Sequence, residues 1–325
     1  MTLRYKVSLD LHVKPAVEKT LGVHVLGVSK MKGGEVNHVY KVETNKKTVL
    51  VRVFRYKDWP EDGKLQYIEK QFMKHHIPHA KLLFYTRSKK WFPNGFMISE
   101  FIDGMPADEA VRSGKLSRND FQSHVAKLLK KVHGIQLKKF GDWHGAYGTD
   151  PDILSFALPR ITQKFNQLKK TEYYDKNVAL AARAKVENLL LPLKDKLKPV
   201  LTHGDPGKDN CIWSTNKKLI LVDWDNARSS VWVRDYADLM FWETCAAQFQ
   251  GVPRTQLPNA QKAFLKGYGK TGLTKSELEN VALALFIIQV ANLLPYYYFD
   301  QKNMKALHEM LILLKGFLSD SPKRF

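Results

Sequence analysis

The chain of 325 residues has little cysteine, with only Cys211 and Cys245. Two cysteines cannot build the disulfide framework of a small secreted protein, so the sequence predicts a reducing, cytoplasmic setting. Long apolar runs are also missing: the best one, at 281–294, is too short to cross a bilayer and predicts a buried helix. The N-terminal residues lack an uninterrupted apolar region, so we expect neither a signal peptide nor a membrane span.

Acidic residues are scarce relative to basic ones. The chain has 52 Lys and Arg against 32 Asp and Glu, a formal net charge of +20. Such a balance can indicate a nucleic-acid partner, but the sequence shows no long Lys/Arg block and no nucleic-acid-binding motif. General surface charge is therefore the preferred interpretation, and we expect no nucleic-acid partner. The oligomeric state is not indicated by any pattern in the sequence.

The hydrophobic pattern divides the chain into a β-rich part and a helical part. Short β-branched runs at 23–31, 39–42, 48–54, 81–85 and 91–98 predict an antiparallel sheet, with helices at 7–21 and 63–76. Helices are predicted at 121–133, 153–168, 178–191, 236–248, 259–267, 275–294 and 304–317. This order predicts an α+β fold with two lobes and a cleft, a small β-rich lobe at 1–102 and a larger helical lobe at 103–325.

The most informative stretch is LTHGDPGKDNCIWSTNKKLILVDWDNA, residues 201–227. Two apolar runs in it predict a β-hairpin, whose antiparallel pairing would place Asn210 and Asp223 at the same end, beside Asp205. Carboxylate and amide oxygens suit Mg²⁺, which fills its remaining positions with water and phosphate. Two metal-holding groups and one carboxylate that orients a hydroxyl are what phosphoryl transfer requires.

These residues resemble a known family. HisGlyAsp at 203–205 with Asn210, followed by ValAspTrp at 222–224, is similar to the catalytic and metal loops of the aminoglycoside phosphotransferase family, relatives of the protein kinases. Five further segments resemble the family in the same order along the chain. They are ThrValLeuValArgVal (48–53), MetIleSerGluPheIleAspGly (97–104), LysLysValHisGly (130–134), ArgAspTyrAlaAspLeu (234–239) and PheLeuLysGlyTyrGly (264–269). The resemblance implies a protein-kinase-like fold and an ATP- and Mg²⁺-dependent transfer of the γ-phosphate to a small-molecule hydroxyl, with GTP not excluded.

The resemblance also implies roles for individual residues. Asp205 would be the catalytic aspartate, while Asn210 and Asp223 would ligate Mg²⁺ that bridges the nucleotide phosphates. His203 would brace the loop by hydrogen bonding. The alternative for this set is a group of polar turn residues that merely flank a hairpin.

The nucleotide would be bound by residues of the first lobe. Gly33 and Gly34 lie between two strands, where glycine allows the backbone to approach phosphate closely. Arg52 stands where kinases commonly have lysine, and its guanidinium can hold phosphate oxygens. The alternatives are an ordinary turn for the glycines and an exposed strand arginine for Arg52, as expected for Arg55.

Three further cofactor-binding residues are implied by the resemblance. Glu69 lies at the border of the inward face of helix 63–76 and would be the ion-pair partner of Arg52, with Glu61 as a rival. Ser99 and Phe101 would hydrogen-bond adenine through their backbone groups. Asp235 precedes a predicted helix and would be its N-cap.

The acceptor is the part of the function that the sequence leaves open. Asp225, Tyr297 and Asp300 are candidate acceptor-binding residues, although aromatic residues on helices more often belong to the core. The high positive charge disfavours long-range steering of polycationic aminoglycosides. A choline, ethanolamine or sugar kinase is therefore an alternative, as is a non-catalytic nucleotide-binding module, and antibiotic resistance is one role that the resemblance raises.

Overall fold

The computed structural model describes residues 6–31 and 36–319, with side chains from residue 10 onward. The chain forms two compact units, and each of them is built from two separate stretches of the sequence. The first unit comprises Met1–Met105 and Ile212–Asp225, and the second comprises Pro106–Cys211 and Asn226–Phe325. The segment Ile212–Asp225 thus belongs to the β-rich first unit, although the residues on both sides of it belong to the second.

A five-stranded antiparallel sheet is the centre of the first unit. Its strands are β1 (Val25–Lys30), β2 (Asn37–Thr44), β3 (Thr48–Phe54), β4 (Leu82–Thr86) and β5 (Phe96–Glu100). They are arranged in the order β1-β2-β3-β5-β4, so β3 is the central strand. Alternate residues of β2 and β3 point into one apolar cluster, which also contains Val13 and Val17 of helix α1 (Lys6–Leu21).

A helix and a hairpin complete the first unit. Helix α2 (Lys64–Lys74) buries Leu65, Ile68 and Phe72, the residues whose spacing predicted its inward face. Strands β6 (Gly104–Pro106), β8 (Cys211–Ser214) and β9 (Leu219–Leu221) form a second sheet in the order β6-β8-β9. The polar turn between β8 and β9 closes with a bond from Ser214 N to Lys218 O, which confirms the predicted hairpin.

The second unit is mainly helical. Its helices are α3 (Ala107–Arg112), α4 (Arg118–Val132), α5 (Ile153–Gln167), α6 (Lys176–Leu190), α7 (Val233–Phe249), α8 (Gln256–Tyr268), α9 (Lys275–Pro295) and α10 (Met304–Leu318). A short strand pair joins them, in which β7 (Val200–Thr202) runs antiparallel to β10 (Arg228–Ser230). Helices α4 and α8 approach closely at Gly267, where a Cβ atom would lie 2.4 Å from Ser123 O, so only glycine is compatible with this packing.

Helix α9 is the most apolar element of the described chain. Its N-terminus carries a capping box in which Thr274 and Glu277 each accept a hydrogen bond from the other's backbone N–H. Together with the residues up to Asp300 it is long and apolar enough to cross a membrane, but 67% of that apolar window is buried inside the second unit. Burial against the neighbouring helices accounts for the apolar composition, as expected for residues 281–294.

Some predicted boundaries differ from the observed ones. The strand predicted at 91–98 begins only at Phe96, because Phe92 and Gly95 form a turn in which Gly95 has a φ of 85°. The short elements β6, α3, β7 and β10 have no counterpart in the sequence-based prediction. Elements of three to six residues carry too little periodic pattern to be recognised unless a turn signal flanks them, as it does at the β8–β9 hairpin.

Candidate active site

The loop that follows β7 holds the predicted catalytic aspartate. His203 is fully buried, and its Nδ1 accepts a hydrogen bond from Asp205 N at 3.3 Å. Gly204 has a φ of 82°, and a Cβ atom there would lie 2.4 Å from Asn226 O. The glycine therefore permits a sharp turn next to β10 that no other residue would allow without strain, and the loop then leads to the half-buried Asp205.

A buried carboxylate holds the backbone of this loop by hydrogen bonds. Asp235 is inaccessible to solvent and accepts hydrogen bonds from His203 N and Gly204 N, both at 2.8 Å. His133 Nε2 lies 2.9 Å from the same carboxylate, and its Nδ1 lies 2.9 Å from the hydroxyl of Tyr268. Burial alone would raise the pKa of Asp235, but the hydrogen bond and charge of His133 hold that pKa below its usual value.

Asp235 therefore has a different role from the expected one. Helix α7 begins two residues earlier, at Val233, so Asp235 lies in the first turn and is not the N-cap. Its carboxylate instead holds the backbone of the catalytic loop. Two matches to the family could have indicated this role of Asp235. One is the segment at 234–239, which contains Asp235, and the other is LysLysValHisGly, which contains His133.

Asn210 lies directly against Asp205. Its amide nitrogen donates to Asp205 Oδ2 at 2.9 Å and to Asp205 O at 3.0 Å. Because the nitrogen makes these two bonds, the amide oxygen is the atom that could ligate a metal ion. The structure thus brings together two of the three residues predicted to carry the chemistry, both in the second unit.

Asp223 follows β9 in the first unit. Its φ of 62° lies in the left-handed region, which is uncommon for a residue with a side chain and is often found at functional positions. About half of its side chain is exposed, and Oδ1 lies 3.5 Å from Arg52 Nη1. An accessible carboxylate held beside a guanidinium is suited to a metal ion and to the phosphate oxygens that accompany it.

Arg52 on β3 is buried, with an exposed fraction of 8%. It forms its closest ion pair with Asp225, which is also buried. Burial tends to lower the pKa of Arg52, but the charges of Asp225 and Asp223 raise it overall and keep the guanidinium protonated. The alternative of an exposed strand arginine does not apply to Arg52, whereas Arg55 is exposed as expected.

The buried Asp225 corrects one expectation. Its carboxylate was expected to face the acceptor, but its side chain is only 6% exposed and is held by Arg52. Burial raises the pKa of Asp225, and its Oδ1 has no hydrogen-bond partner in the described part of the chain. Lys64 Nζ, which is also buried, donates to the backbone oxygen of Asp225 at 2.5 Å and so fixes this position from α2.

Glu69 was expected to pair with Arg52, and the structure corrects this too. Its Oε2 lies 3.0 Å from His79 Nε2 and accepts a hydrogen bond from Leu82 N at 3.0 Å. The rival Glu61 pairs with Lys64 at 3.0 Å. Helix periodicity places Glu69 near the inward face but does not show which neighbour it meets, and here that neighbour is the segment before β4.

The remaining predicted residues are distributed over both units. Gly33 and Gly34 lie outside the described residues. Ser99 is buried near the end of β5, and Phe101 follows that strand, with Lys41 Nζ 5.4 Å from its ring. In the second unit, Tyr297 is half-buried and Asp300 is exposed, both in a π-helical turn after α9.

Asp238 is a residue that the sequence-based prediction missed. It lies three residues after Asp235 on α7 and is 4% exposed. Burial raises its pKa to about 7; Arg234 and Arg228 lower it, and Asp205 and Asp235 raise it further. A carboxylate that is half protonated near neutral pH and lies within the field of Asp205 is a feature that only the packing of α7 creates.

The described residues contain no group of three or more His, Cys, Asp and Glu side chains that could hold a metal by themselves. A structural zinc or iron site of that kind is therefore not indicated there. Taken separately, the carboxylate of Asp223 in the first unit and the amide oxygen of Asn210 in the second are each the kind of ligand that Mg²⁺ prefers.

Comparison with known proteins identifies relatives of this architecture. Residues 27–277 match the model of the phosphotransferase enzyme family. Choline kinase LicA from Streptococcus pneumoniae superposes with a TM-score of 0.62 at 15% identity, covering 93% of this chain and 97% of that one. No curated protein matches the sequence.

Two phosphotransferases are also similar in structure. A thermostable mutant of aminoglycoside phosphotransferase APH(4)-Ia, in a ternary complex with ADP and hygromycin B, has a TM-score of 0.66 at 13% identity and coverages of 94% and 97%. Spectinomycin phosphotransferase APH(9)-Ia, in complex with ADP and spectinomycin, has a TM-score of 0.61 at 14% identity and coverages of 97% and 98%. At these identities the likeness shows the fold, which is the two-lobed α+β fold of the protein kinases. With the family model matching well over half of its length, the chain belongs to the phosphotransferase enzyme family.

Proposed function

We propose that the protein is an ATP- and Mg²⁺-dependent O-phosphotransferase that transfers the γ-phosphoryl group to the hydroxyl of a small molecule. The observation that carries this proposal is the catalytic loop, in which Asn210 holds Asp205 while buried Asp235 fixes the backbone before it. Burying the carboxylate of Asp235 costs free energy. A surface loop without a chemical role would not need such a buried charged group to hold its backbone.

Each residue has a definite role in this proposal. Asp205 orients the accepting hydroxyl and takes its proton, mainly by positioning, because the phosphoryl transition state is loose. Asn210 and Asp223 would hold Mg²⁺, which neutralises charge on the nucleotide phosphates. Arg52 would contact the non-transferred phosphates, with Asp225 in place of Glu69 as the group that fixes its guanidinium.

In this proposal the two lobes have different functions. Residues 1–102 would bind the nucleotide, with Gly33 and Gly34 near the phosphates and backbone groups of Ser99 and Phe101 at adenine. Residues 103–325 would supply the catalytic loop and the acceptor site. Complexes of structural relatives with ADP and AMP support a nucleotide as the donor.

A non-catalytic nucleotide-binding module is the alternative from another class. Such a module would not need the hydrogen bond between Asn210 and Asp205, because neither residue would meet a reacting group. The 2.9 Å contact between them favours the enzyme.

The test is a screen for ADP release with ATP and GTP across amino alcohols, sugars, hydroxy acids and aminoglycosides, with Mg²⁺ and with a chelator. We expect turnover with one acceptor class, only in the presence of Mg²⁺. The variant Asp205→Asn should reduce kcat by about 10²-fold or more while nucleotide affinity stays within a few-fold, because an amide cannot take the proton. Asp209→Asn, an exposed change on the same loop, is the matched control. Turnover of Asp205→Asn within threefold of the wild type would overturn the assignment.

A further inference from the structure

Helix α7 buries a further carboxylate beyond its first turn, that of Glu243, which is only 6% exposed. Glu243 follows Asp235 by eight residues, which places it about 12 Å further along the same side of the helix. Asp235 holds the beginning of the catalytic loop, at His203 and Gly204. Glu243 contacts the same loop on the other side of Asp205, and the proposed function gives this contact no role.

Lys208 is the residue that connects the catalytic loop to Glu243. Its Nζ lies 3.5 Å from Glu243 Oε1, and only 25% of its side chain is exposed. Water and salt therefore screen this ion pair less than a pair on the open surface. Lys208 begins the short 3₁₀ helix Lys208–Asn210, and Asn210 in turn donates to Asp205. The pair thus acts on the turn that carries the partner of the catalytic aspartate.

Two side chains of α4 fix the carboxylate of Glu243. Arg118 Nη1 lies 3.1 Å from Oε2, and Gln122 Nε2 donates to Oε1 at 3.4 Å. Arg118 and Gln122 are four residues apart, so both lie on the same face of the helix. Each oxygen of the buried carboxylate therefore has a donor, which offsets the cost of its burial. Glu243 joins the catalytic loop to two helices, α4 and α7.

The catalytic loop is thus held on both sides of Asp205. A support at His203 and Gly204 alone would let the rest of the loop rotate about these residues. A second support at Lys208 restricts the direction of the Asp205 carboxylate as well as its position. Catalytic groups need this restriction, because small displacements of a reacting or orienting group cost much of the rate.

We propose that Glu243 is a positioning residue for Asp205, which it holds through Lys208 and the short 3₁₀ helix Lys208–Asn210. Asp235 and Glu243 then support one loop from a single helix, α7. The inference rests on the proposed phosphotransferase function and adds to it a residue that touches neither nucleotide nor acceptor.

The first experiment measures the loop without catalysis. Hydrogen exchange at residues 207–211 should be about threefold or more faster in Glu243→Gln and in Lys208→Met than in the wild type, because the loop loses one support. Exchange at 203–204 should stay slow, because Asp235 is unchanged. Lys208 is partly exposed, so Lys208→Met serves alone if Glu243→Gln does not fold.

The matched control for hydrogen exchange is Glu279→Gln. Glu279 is an exposed glutamate of α9 that pairs with Lys275 at 3.8 Å. This variant should exchange at 207–211 as the wild type does. Equal exchange at 207–211 in the wild type and the folded Lys208→Met variant would overturn the inference.

The second experiment separates positioning from packing. Glu243→Gln and Lys208→Met should each lower kcat by about 10-fold, because a displacement of about 1 Å can cost about 10²-fold in rate. Affinity for ATP without Mg²⁺ should stay within about twofold, since neither side chain binds the nucleotide in this proposal. Lys208→Arg should recover most of kcat, because it keeps the charge.

The double variant of Glu243→Gln and Lys208→Met decides whether the two residues act together. Its kcat should be little lower than that of either single variant, because a shared ion pair cannot be lost twice. Losses that multiply would show that the residues act separately and would overturn the inference. The control pair Lys275→Met and Glu279→Gln should leave kcat unchanged.

Denaturant midpoints of the same variants identify a purely structural role. A lower midpoint of Glu243→Gln with wild-type kcat would show that Glu243 serves only the packing of α4 and α7, and it would overturn the inference while leaving the phosphotransferase function standing. A wild type that transfers phosphate to no acceptor in the ADP-release screen would overturn the proposed function, and with it the role of Glu243 in catalysis.

Discussion

The two units each contain a buried aspartate that holds a part of the proposed active site, but the two aspartates are stabilised differently. Asp235 in the second unit accepts bonds from two backbone N–H groups and lies against His133. Asp225 in the first unit relies on the guanidinium of Arg52, and its Oδ1 has no partner among the described residues. The pKa of Asp235 is lowered, whereas that of Asp225 is raised.

This difference shows what each aspartate is suited to do. Several fixed donors around one carboxylate make a rigid support, which fits the anchoring of a catalytic loop. A buried carboxylate that depends mainly on one guanidinium is stable only while that arginine stays in place. Asp225 is therefore suited to positioning Arg52, and Asp235 is suited to holding the backbone of the loop at His203 and Gly204.

The largest expected effect follows from removal of the rigid support. Asp235→Ala should lower the free energy of unfolding by about 3–5 kcal/mol, because the His203 and Gly204 N–H groups and His133 lose a buried acceptor together. Asp235→Asn keeps one amide oxygen and should cost less. Denaturant unfolding followed by fluorescence measures both. A loss below about 1 kcal/mol in Asp235→Ala would mean that the loop does not depend on this carboxylate.

A smaller effect is expected from the pair in the first unit. In a double-mutant cycle of Arg52→Ala and Asp225→Ala, kcat/KM for ATP should show a coupling energy of about 1–3 kcal/mol, because a lost partner cannot be lost twice. The matched cycle of Arg52→Ala with Glu69→Ala should be additive within about 0.5 kcal/mol, since Glu69 contacts His79 and Leu82 instead. Strong coupling to Glu69 with additivity at Asp225 would reverse the assignment of partners.

The last expected effect, which is small over any single pH unit, is a pH dependence of stability from Asp238. Its pKa in the folded protein, about 7, lies above the ordinary aspartate value, so between pH 4 and 7 the folded state binds more protons than the unfolded state. Stability should therefore fall as pH rises through this window, by at most about 1.4 kcal/mol per pH unit. Unfolding of Asp238→Asn at several pH values should lack this slope, whereas exposed Asp195→Asn should retain it. An unchanged slope in Asp238→Asn would assign the pH dependence to other groups.

The elements with strong local patterns were predictable from the sequence. Strand β3 has the predicted bounds, 48–54, because its β-branched residues alternate without interruption. Helix α9 begins at the predicted residue, because a capping box precedes a long apolar run. The catalytic segment at 203–210 was recognisable because its residues are close in sequence and match a family pattern.

The ion-pair partners were not predictable in the same way. Arg52 and Asp225 are separated by 173 residues, and no periodicity of β3 or α2 indicates their contact. The choice between Glu69 and Asp225 as partner depends on where the segment after β9 lies in the first unit. Similarly, Arg160 of α5 and Arg228 of β10 both lie close to Asp142, although the three residues come from separate segments of the chain.

The sequence by itself determined the fold class and the order of most helices and strands, and it indicated the candidate catalytic loop, since these depend on local propensity and on short motifs. Only the tertiary structure decided which charged groups are buried and which partners they have. The physical reason is that the free energy of a buried charge depends on a few contacts between segments that are distant along the chain. For this reason Asp225, Asp235 and Asp238, three residues of one chemical type, have one lowered and two raised pKa values.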